Sequence, residues 1–339
     1  MNAYINYISY YLPSQTLSNA DIGREHPEWT IEKIASKTGI HNRHLSATDE
    51  FASDMAIKAA EMLFTENAIN RSEIDYLILC TQSPDYFLPT TACIVQDRLG
   101  LPNSTGAIDV NQGCSGFIYS LGLAKGLIAS GQSKKVLVIT ADTYTKYIHP
   151  KDKSNKTLFG DGGAAVLVTN EAIGLGAKVN DFVYGTDGAG YESLIVKNGG
   201  VRNKLTKDVD IYDGEDFVRN DNHLFMDGRA VFQFTNTVVP KLIHAILDKQ
   251  GLSIEEISKF VFHQANKFML EKIRAKLAIP EEKFIFNSAE VGNTVSSTLP
   301  ISLKKLIENK DISNGEVIVL AGFGVGLSYG ATIINIEQD

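Results

Sequence analysis

The chain has 339 residues, 44% of them hydrophobic, a formal charge of −8 and a pI near 5.5. That is apolar matter enough for one large or two fused domains, while no run of about 18 apolar residues offers a membrane span and the acidic balance argues against general nucleic-acid binding. Three cysteines, Cys80, Cys93 and Cys114, are too few and too scattered for a disulfide framework or a zinc site, so no metal is expected and a reducing cytoplasm is the natural setting.

The opening Met1-Asn2-Ala3-Tyr4-Ile5-Asn6-Tyr7 lacks a basic region followed by an apolar stretch, and no secretion signal is expected. His41 and His44 have ligand-like spacing without a recognisable third ligand, and read as structural. Between Leu45 and Ala68 the pattern Phe51, Met55, Ala59, Met62, Leu63 predicts an amphipathic helix capped by Thr48 or Asp49. Glu73 to Cys80 reads as a helix end running into a buried strand, followed by a helix through Cys93 to Leu99 that Gly100 closes. A strand over Ala107-Ile108-Asp109-Val110 leads into Asn111-Gln112-Gly113-Cys114-Ser115-Gly116-Phe117. The helix that follows, Phe117 to Ile128, is apolar on nearly every face and therefore expected to be buried. Lys135 to Thr140 is the next strand. Phe159-Gly160-Asp161-Gly162-Gly163-Ala164 looks superficially like a phosphate loop, but it lacks the Lys-Ser/Thr ending and opens no helix. Asn180 to about Asn222, rich in Gly, Asp and Asn, reads as a polar excursion. A helix from Asp227 to Gln250 shows Val231, Phe234, Val238, Leu242, Ala245 and Ile246 on one side, and Pro240 is expected to kink or split it.

The remainder repeats the first half in order. Glu255 to Phe262 leads to His263; a helix through Met269 to Leu277 follows; then come Phe284-Ile285-Phe286-Asn287, the turn Gly292-Asn293-Thr294, a helix to about Glu308, and the strand Glu316 to Leu320. Cys114 precedes Val136 by 22 residues and Thr294 precedes Val317 by 23. The expected architecture is α/β and internally duplicated, with halves at 1–172 and 173–339. In such sheets chemistry collects beyond the carboxyl ends of strands, so Cys114, His263 and Asn293 are expected to converge on one pocket.

The glycines around Cys114 let the backbone turn sharply and approach a substrate closely. Its position at a helix start, facing unpaired N–H groups, is expected to favour the thiolate. A cysteine can hold an acyl group as a thioester, splitting one transfer into two easier steps. A neutral histidine and an asparagine can then donate hydrogen bonds to an enolate oxygen. Gly322-Phe323-Gly324-Val325-Gly326-Leu327-Ser328-Tyr329-Gly330 is a glycine-rich bend between strands that reads equally as an ordinary hairpin or as a source of N–H groups for an acyl oxygen.

Together, Gly-Cys-Ser-Gly-Phe around Cys114, His-Gln-Ala-Asn at 263–266, Gly-Asn-Thr at 292–294, Phe159-Gly160-Asp161-Gly162 and Gly322-Phe323-Gly324 resemble the β-ketoacyl-acyl carrier protein synthase III family over nearly the whole chain. The resemblance implies a thiolase-like fold of αβαβα layers, a homodimer, and acyltransferase activity by decarboxylative condensation of an acyl thioester with malonyl carrier protein. It implies Cys114 as the acylated nucleophile, His263 and Asn293 as enolate stabilisers, and the N–H groups of Cys114 and Val325 as the acyl oxyanion hole. Phe323, Phe159 and Leu88 are then expected in the substrate pocket, the loop Tyr86-Phe87-Leu88-Pro89 reaching the partner subunit. No cofactor is implied; coenzyme A or phosphopantetheine thioesters are the substrates, and acyl carrier protein and acyl-CoA the partners. Lys37, Lys153, Arg229, Lys267, Lys272, Arg274 and Lys276 are the expected coenzyme A or carrier contacts.

The chain departs from the family where Trp and Arg four residues apart usually precede Thr-Gly-Ile: Lys33 and Lys37 stand there before Thr38-Gly39-Ile40, with Trp29 displaced. Lys153 and Phe268 likewise replace arginines, and Arg229 an asparagine. Lys does not substitute for Arg at stacked or bidentate sites, so the acyl donor stays open between coenzyme A and carrier protein. The alternatives are transfer to a non-malonyl acceptor, or a hydroxymethylglutaryl-CoA synthase-like condensation. A papain-like hydrolase lacks support in the local sequence, a degradative thiolase would need a cysteine after Cys114, and a non-catalytic partner subunit would normally have lost the cysteine.

Overall fold

A computed structural model describes residues 1–337. In chain order the strands are β1 (Tyr4–Tyr11), β2 (Gln15–Ser18), β3 (Asn42–Leu45), β4 (Tyr76–Cys80), β5 (Gly106–Val110), β6 (Lys135–Asp142), β7 (Gly162–Thr169) and β8 (Ala177–Thr186). They continue with β9 (Leu194–Val196), β10 (Asp210–Asp213), β11 (Asp216–Asn220), β12 (Leu224–Met226), β13 (Lys259–Phe262), β14 (Val317–Gly324) and β15 (Ser328–Ile336). The helices are α1 (Asn19–Glu25), α2 (Ile31–Thr38), α3 (Ala52–Glu66), α4 (Thr91–Arg98), α5 (Gly116–Ala129), α6 (Lys153–Lys156), α7 (Gly228–Gln250), α8 (Lys267–Lys276) and α9 (Thr298–Glu308). None of them is long and apolar enough to cross a membrane.

Nine strands form one sheet in the order β13-β14-β15-β8-β1-β7-β6-β4-β5. Outward from β1, the pairings with β7, β6, β4 and β5 are antiparallel, antiparallel, parallel and parallel. Outward from β8, the steps to β15, β14 and β13 are antiparallel, antiparallel and parallel, and a parallel bridge from Phe260 to Phe284 makes the fourth. The middle joint is the short antiparallel contact of Tyr4 and Ile5 with Lys178 and Ala177.

Side-chain alternation along the strands explains the layers. Leu77, Leu79, Leu137 and Ile139 face one core with α3 and α4. Phe260, Phe262, Val319 and Ala321 face another with α7 and α8. The intervening residues Ile78, Val136 and Val138 on one side, and Val261, Ile318 and Leu320 on the other, share a third core with α5 and α9. Each strand is covered on both faces, which is why these segments read as unbroken apolar runs. Helix α5 lies in the shared middle core with Phe117, Ile118, Leu121, Ala124 and Ile128 fully enclosed, whereas Leu123 on its outer side is 46% exposed, so the apolar surface is buried on most faces and not on all.

Several local expectations are corrected. β8 begins before the predicted excursion and runs through Thr186 as a sheet strand; Lys178, Asn180 and Asp181 disguise it. The excursion proper is the short strands β9 to β12 and their loops. Phe284-Ile285-Phe286-Asn287 forms no strand, only the one bridge and an Ile285 N–H to Phe260 O bond of 3.1 Å. α7 runs unbroken through Pro240, which is buried within it, and ends on Gly251 in the left-handed conformation. α3 starts at Ala52, and the cap comes from Asp54, whose carboxylate accepts the Phe51 N–H at 2.9 Å; Thr48 and Asp49 lie upstream.

Leu121→Ala, which opens a cavity in the middle core, is expected to cost about 2–5 kcal/mol of stability. Denaturant unfolding would read this as a lowered midpoint at unchanged slope.

Candidate active site

Cys114 lies beyond the carboxyl end of β5, one residue before Ser115, the N-cap of α5. It is 5% exposed. The hairpin from the other half of the sheet closes over it. A Cβ on Gly322 would lie 2.8 Å from the Cys114 carbonyl oxygen, and one on Gly324 would lie 2.7 Å from Cys114 Cβ and Sγ. Only a strand without side chains at those two places can approach so closely. Beneath, Ser115 Oγ and Ser328 Oγ are 2.7 Å apart, joining the helix start to β15. The backbone N–H groups of Val325 and of Cys114 itself both reach the thiol sulfur.

Burial nevertheless pushes the Cys114 thiol up to about 12, against the pull of the Val325 N–H and with the Asp142 carboxylate adding to the rise. The sequence expectation of a favoured thiolate is therefore not met in the resting site. Loss of water outweighs two N–H groups and a helix start, so the resting thiol keeps its proton.

His263 follows the last residue of β13, its N–H bonded to Ala321 O at 2.8 Å. The ring is buried, meets Phe323 edge to face at 5.9 Å, and has Nδ1 2.7 Å from Thr298 Oγ1. Burial drives its pKa down to about 3, opposed only in part by the Val295 backbone carbonyl, so the imidazole is neutral at physiological pH. The residues after it hold it there. Gln264 Nε2 donates to Phe262 O at 2.8 Å and its Oε1 accepts the Asn287 N–H at 3.0 Å, while Asn266 Oδ1 caps α8 by accepting the Met269 N–H at 2.8 Å.

Asn293 is fixed by its backbone: its N–H donates to Leu158 O at 2.9 Å and its C=O accepts from Gly160 N–H at 3.0 Å, pairing it with Phe159. The Val295 N–H donates to Asn293 Oδ1 at 3.0 Å. An N–H demands an acceptor, so the carboxamide is oriented with Nδ2 away from Val295, and Nδ2 makes no hydrogen bond among the described residues. Phe159, Val295, Phe323 and Cys114 belong to one contiguous core; Asn293 is bridged to Phe159 and His263 meets Phe323, so each of the three residues belongs to or borders that core.

A cavity of about 760 Å³ opens beside this wall, bounded by Val325, Gln82, Tyr144 and Tyr147 near the thiol and by Leu194, Val196, Leu205, Leu224 and Phe87 farther out. Tyr144 donates to Gln82 Oε1 at 2.5 Å, Tyr147 to Gln82 O at 3.1 Å, and Gln82 N–H to Asp142 Oδ1 at 2.8 Å. Asp142, fully buried, also accepts from the Ser296 N–H and hydroxyl; burial still raises its carboxyl to about 7.

Of the other expected residues, Phe323 and Phe159 are buried in the same core as Cys114, whereas Leu88 is 84% exposed and does not line the cavity. Lys37 and Lys33 lie over the Trp29 ring, 5.6 and 5.1 Å from its centroid, and Lys153 is paired with Glu28. Arg229 is exposed in the first turn of α7, and Lys267 opens α8 against Gly39. Lys272 sits over Phe268 at 5.6 Å. Arg274 is spent on Glu271 and Ile279 O, and Lys276 on Asn236 O. Sequence reasoning missed Thr298, Asp142, Gln82 and Tyr144. Thr298 stands five residues after Asn293 where a helix begins, and the other three stand at or beyond strand carboxyl ends, a position that could have flagged them.

Models of the 3-oxoacyl-(acyl-carrier-protein) synthase III family match residues 108–188, and those of its C-terminal part match 247–336. The chain is 36% identical over 335 residues to the β-ketoacyl-(acyl-carrier-protein) synthase III of Clostridium perfringens strain SM101, covering 99% of both. It is 36% identical to the enzyme of that name from Lactococcus lactis strain IL1403, covering 98% of this chain and 99% of that one. A crystal structure of a 3-oxoacyl-(acyl-carrier-protein) synthase III superposes with a TM-score of 0.96 at 46% identity, covering 99% of this chain and 100% of that one. The chain belongs to the 3-oxoacyl-(acyl-carrier-protein) synthase III family.

Two outcomes follow from the geometry. Gly324→Ala would place a methyl group against the sulfur, and thiol-specific labelling of Cys114 in the folded protein is expected to fall sharply. A His263 pKa below its unfolded value means that the unfolded chain binds more protons between those two values, so stability declines as pH falls below about 6.5. Between pH 7 and 5 the wild type should lose about 2 kcal/mol more than His263→Ala, read by denaturant unfolding at each pH.

Proposed function

We propose that this member of the family condenses an acyl thioester with malonyl carrier protein through an acyl-Cys114 intermediate. In the first half-reaction the Cys114 sulfur attacks the acyl carbonyl, the thiol proton passes to the departing thiol, and the acyl oxygen's developing charge is held by the N–H groups of Cys114 and Val325. In the second, the malonyl thioester loses CO₂ and the electrons of the broken C–C bond pass into an enolate. The enolate oxygen takes hydrogen bonds from His263 and from Asn293 Nδ2. The enolate carbon then attacks the acyl group, and collapse of that intermediate expels the Cys114 sulfur as a thiolate, which takes a proton from water to restore the resting thiol, and leaves a β-ketoacyl thioester. No cofactor enters any step.

The observation that carries this reading is a buried neutral imidazole and a carboxamide whose Oδ1 is occupied, both bordering the core that buries the thiol. A charged imidazole would protonate the enolate and waste it; an imidazole kept neutral by burial stabilises the oxygen and leaves the carbon reactive. The apolar Phe323 ring against His263 favours departing CO₂ over the charged carboxylate.

The finer assignments share this standing. The matching series of strand pairings on both sides of the β1–β8 joint supports reading 1–172 and 173–339 as copies of one unit. Exposed Tyr86, Phe87 and Leu88 beside the edge strand β5 support a homodimer in which this loop enters the partner's cavity. Lys267, Lys272 and Arg229 are exposed cations suited to an acidic carrier. The Trp29 face is covered by Lys33 and Lys37, which favours a carrier-bound acyl donor over coenzyme A. Three free cysteines suit a cytoplasmic protein.

Intact-protein mass spectrometry with a panel of acyl-CoA and acyl-carrier donors tests the reading. Cys114→Ala should take no acyl group. His263→Ala and Asn293→Ala should still acylate, while CO₂ release from malonyl thioester falls about 10²–10³-fold. Equal labelling of Cys114→Ala and wild type would overturn the nucleophile assignment.

A further inference from the structure

We propose that Gln82 is a specificity-determining residue whose carboxamide Nε2 donates a hydrogen bond to a carbonyl oxygen on the third or fourth carbon of the acyl group, so that oxoacyl thioesters are taken in preference to saturated ones. The inference deepens the condensation reading and rests on its first half-reaction, in which Cys114 receives the acyl group. That transfer proceeds as described above.

Gln82 stands two residues beyond β4 and lines the cavity. Its backbone N–H donates to Asp142 Oδ1 at 2.8 Å, its backbone oxygen accepts the Tyr147 hydroxyl at 3.1 Å, and its Oε1 accepts the Tyr144 hydroxyl at 2.5 Å. The last contact fixes which way the amide faces. A separation of 2.5 Å suits O–H···O and is too short for N–H···O, so the oxygen and not the NH₂ group meets Tyr144. Nε2 is then left without a hydrogen bond among the described residues. It is not one of the buried polar atoms that lack a partner, so it opens to the cavity.

This donor sits at the thiol end. A Cβ placed on Gly113 would lie 2.5 Å from both Gln82 Oε1 and Val325 Cγ1. The amide therefore stands beside the residue that precedes Cys114, next to the side chain of the residue whose N–H reaches the sulfur. An acyl group held on that sulfur passes the amide within its first few carbons. A saturated chain would cover Nε2 and give it no acceptor, and a covered donor without a partner is costly. The acceptor must also be neutral. No Lys, Arg or His lines the cavity among the described residues, whereas Asp85 does, so a carboxylated chain would meet repulsion and no cation. Farther out, Leu194, Val196 and Leu224 suit a hydrocarbon tail.

Octanoyl-, 3-oxooctanoyl- and 4-oxooctanoyl-pantetheine distinguish these cases. Single-turnover acylation of Cys114 is timed by intact-protein mass spectrometry at subsaturating thioester, and each rate is divided by that of the same thioester with free N-acetylcysteine, which removes intrinsic reactivity. At least one oxo thioester is expected to acylate the wild type about 10-fold faster than octanoyl on this scale. Gln82→Met, which removes the amide at similar volume, is expected to bring that ratio near one. Equal normalised rates in the wild type overturn the proposal without any variant having to fold. So does a preference that Gln82→Met retains, as a merely structural residue that slowed all three thioesters alike would leave it. If neither these thioesters nor any other acyl donor labels Cys114, the condensation reading fails and takes the inference with it; labelling by all three at one rate overturns the inference alone.

Discussion

The contact on which the site depends is the approach of β14 and its turn to the start of α5. Two glycines, Gly322 and Gly324, let a strand from one half of the sheet lie directly on the backbone and sulfur of a cysteine from the other. Phe323 between them turns to the opposite face and meets His263. One short stretch of chain, alternating small and large, thus touches Cys114 with one face and His263 with the other. The period-2 geometry of a strand makes this possible, and a side chain at either glycine would hold the halves apart.

Enclosure that tight has an electrostatic consequence. Every titratable group around the thiol is moved toward its neutral form: Cys114 upward, His263 downward, Asp142 upward. Desolvation dominates each shift, and the hydrogen bonds that oppose it are weaker. A site with so little standing charge does not bind its substrates by attraction. Under the proposed reaction it holds neutral donors where negative charge develops, and they need no rearrangement when it does. The resting thiol is likewise uncharged.

Much of this was legible in the sequence. The apolar runs Tyr76–Cys80 and Lys135–Thr140, the all-round apolar α5, and the order of turns bearing Cys114, His263 and Asn293 all announced themselves because burial on two faces leaves an unbroken pattern. Among the strands that went unread, β1 and β8 are the two that join at the centre of the sheet, and both carry polar residues: Asn6 and Ser9 in one, Lys178, Asn180 and Asp181 in the other. Asn6 is buried with its amide bonded to Thr169 Oγ1 at 2.7 Å, and so it looks polar while behaving as core. Pro240 misled in the other direction, because packing against the C-terminal core outweighs one missing hydrogen bond in a 23-residue helix. The thiol's proton affinity was beyond local reading altogether. It is set by the depth to which the opposite hairpin buries it, and the residues that do this lie some two hundred positions away in the chain.

Asp142 carries a last implication. Its one carboxylate receives the backbone N–H of Gln82 on one oxygen and the backbone N–H and hydroxyl of Ser296 on the other. The loop that frames the cavity and the turn that carries Asn293 are therefore registered against a single shared carboxyl group. In any hybrid assembled by splicing the front of one such protein to the back of another, the two halves would inherit a common datum at this point. Their alignment would survive wherever both contributors kept the same three donors, even if the surrounding surfaces had drifted apart.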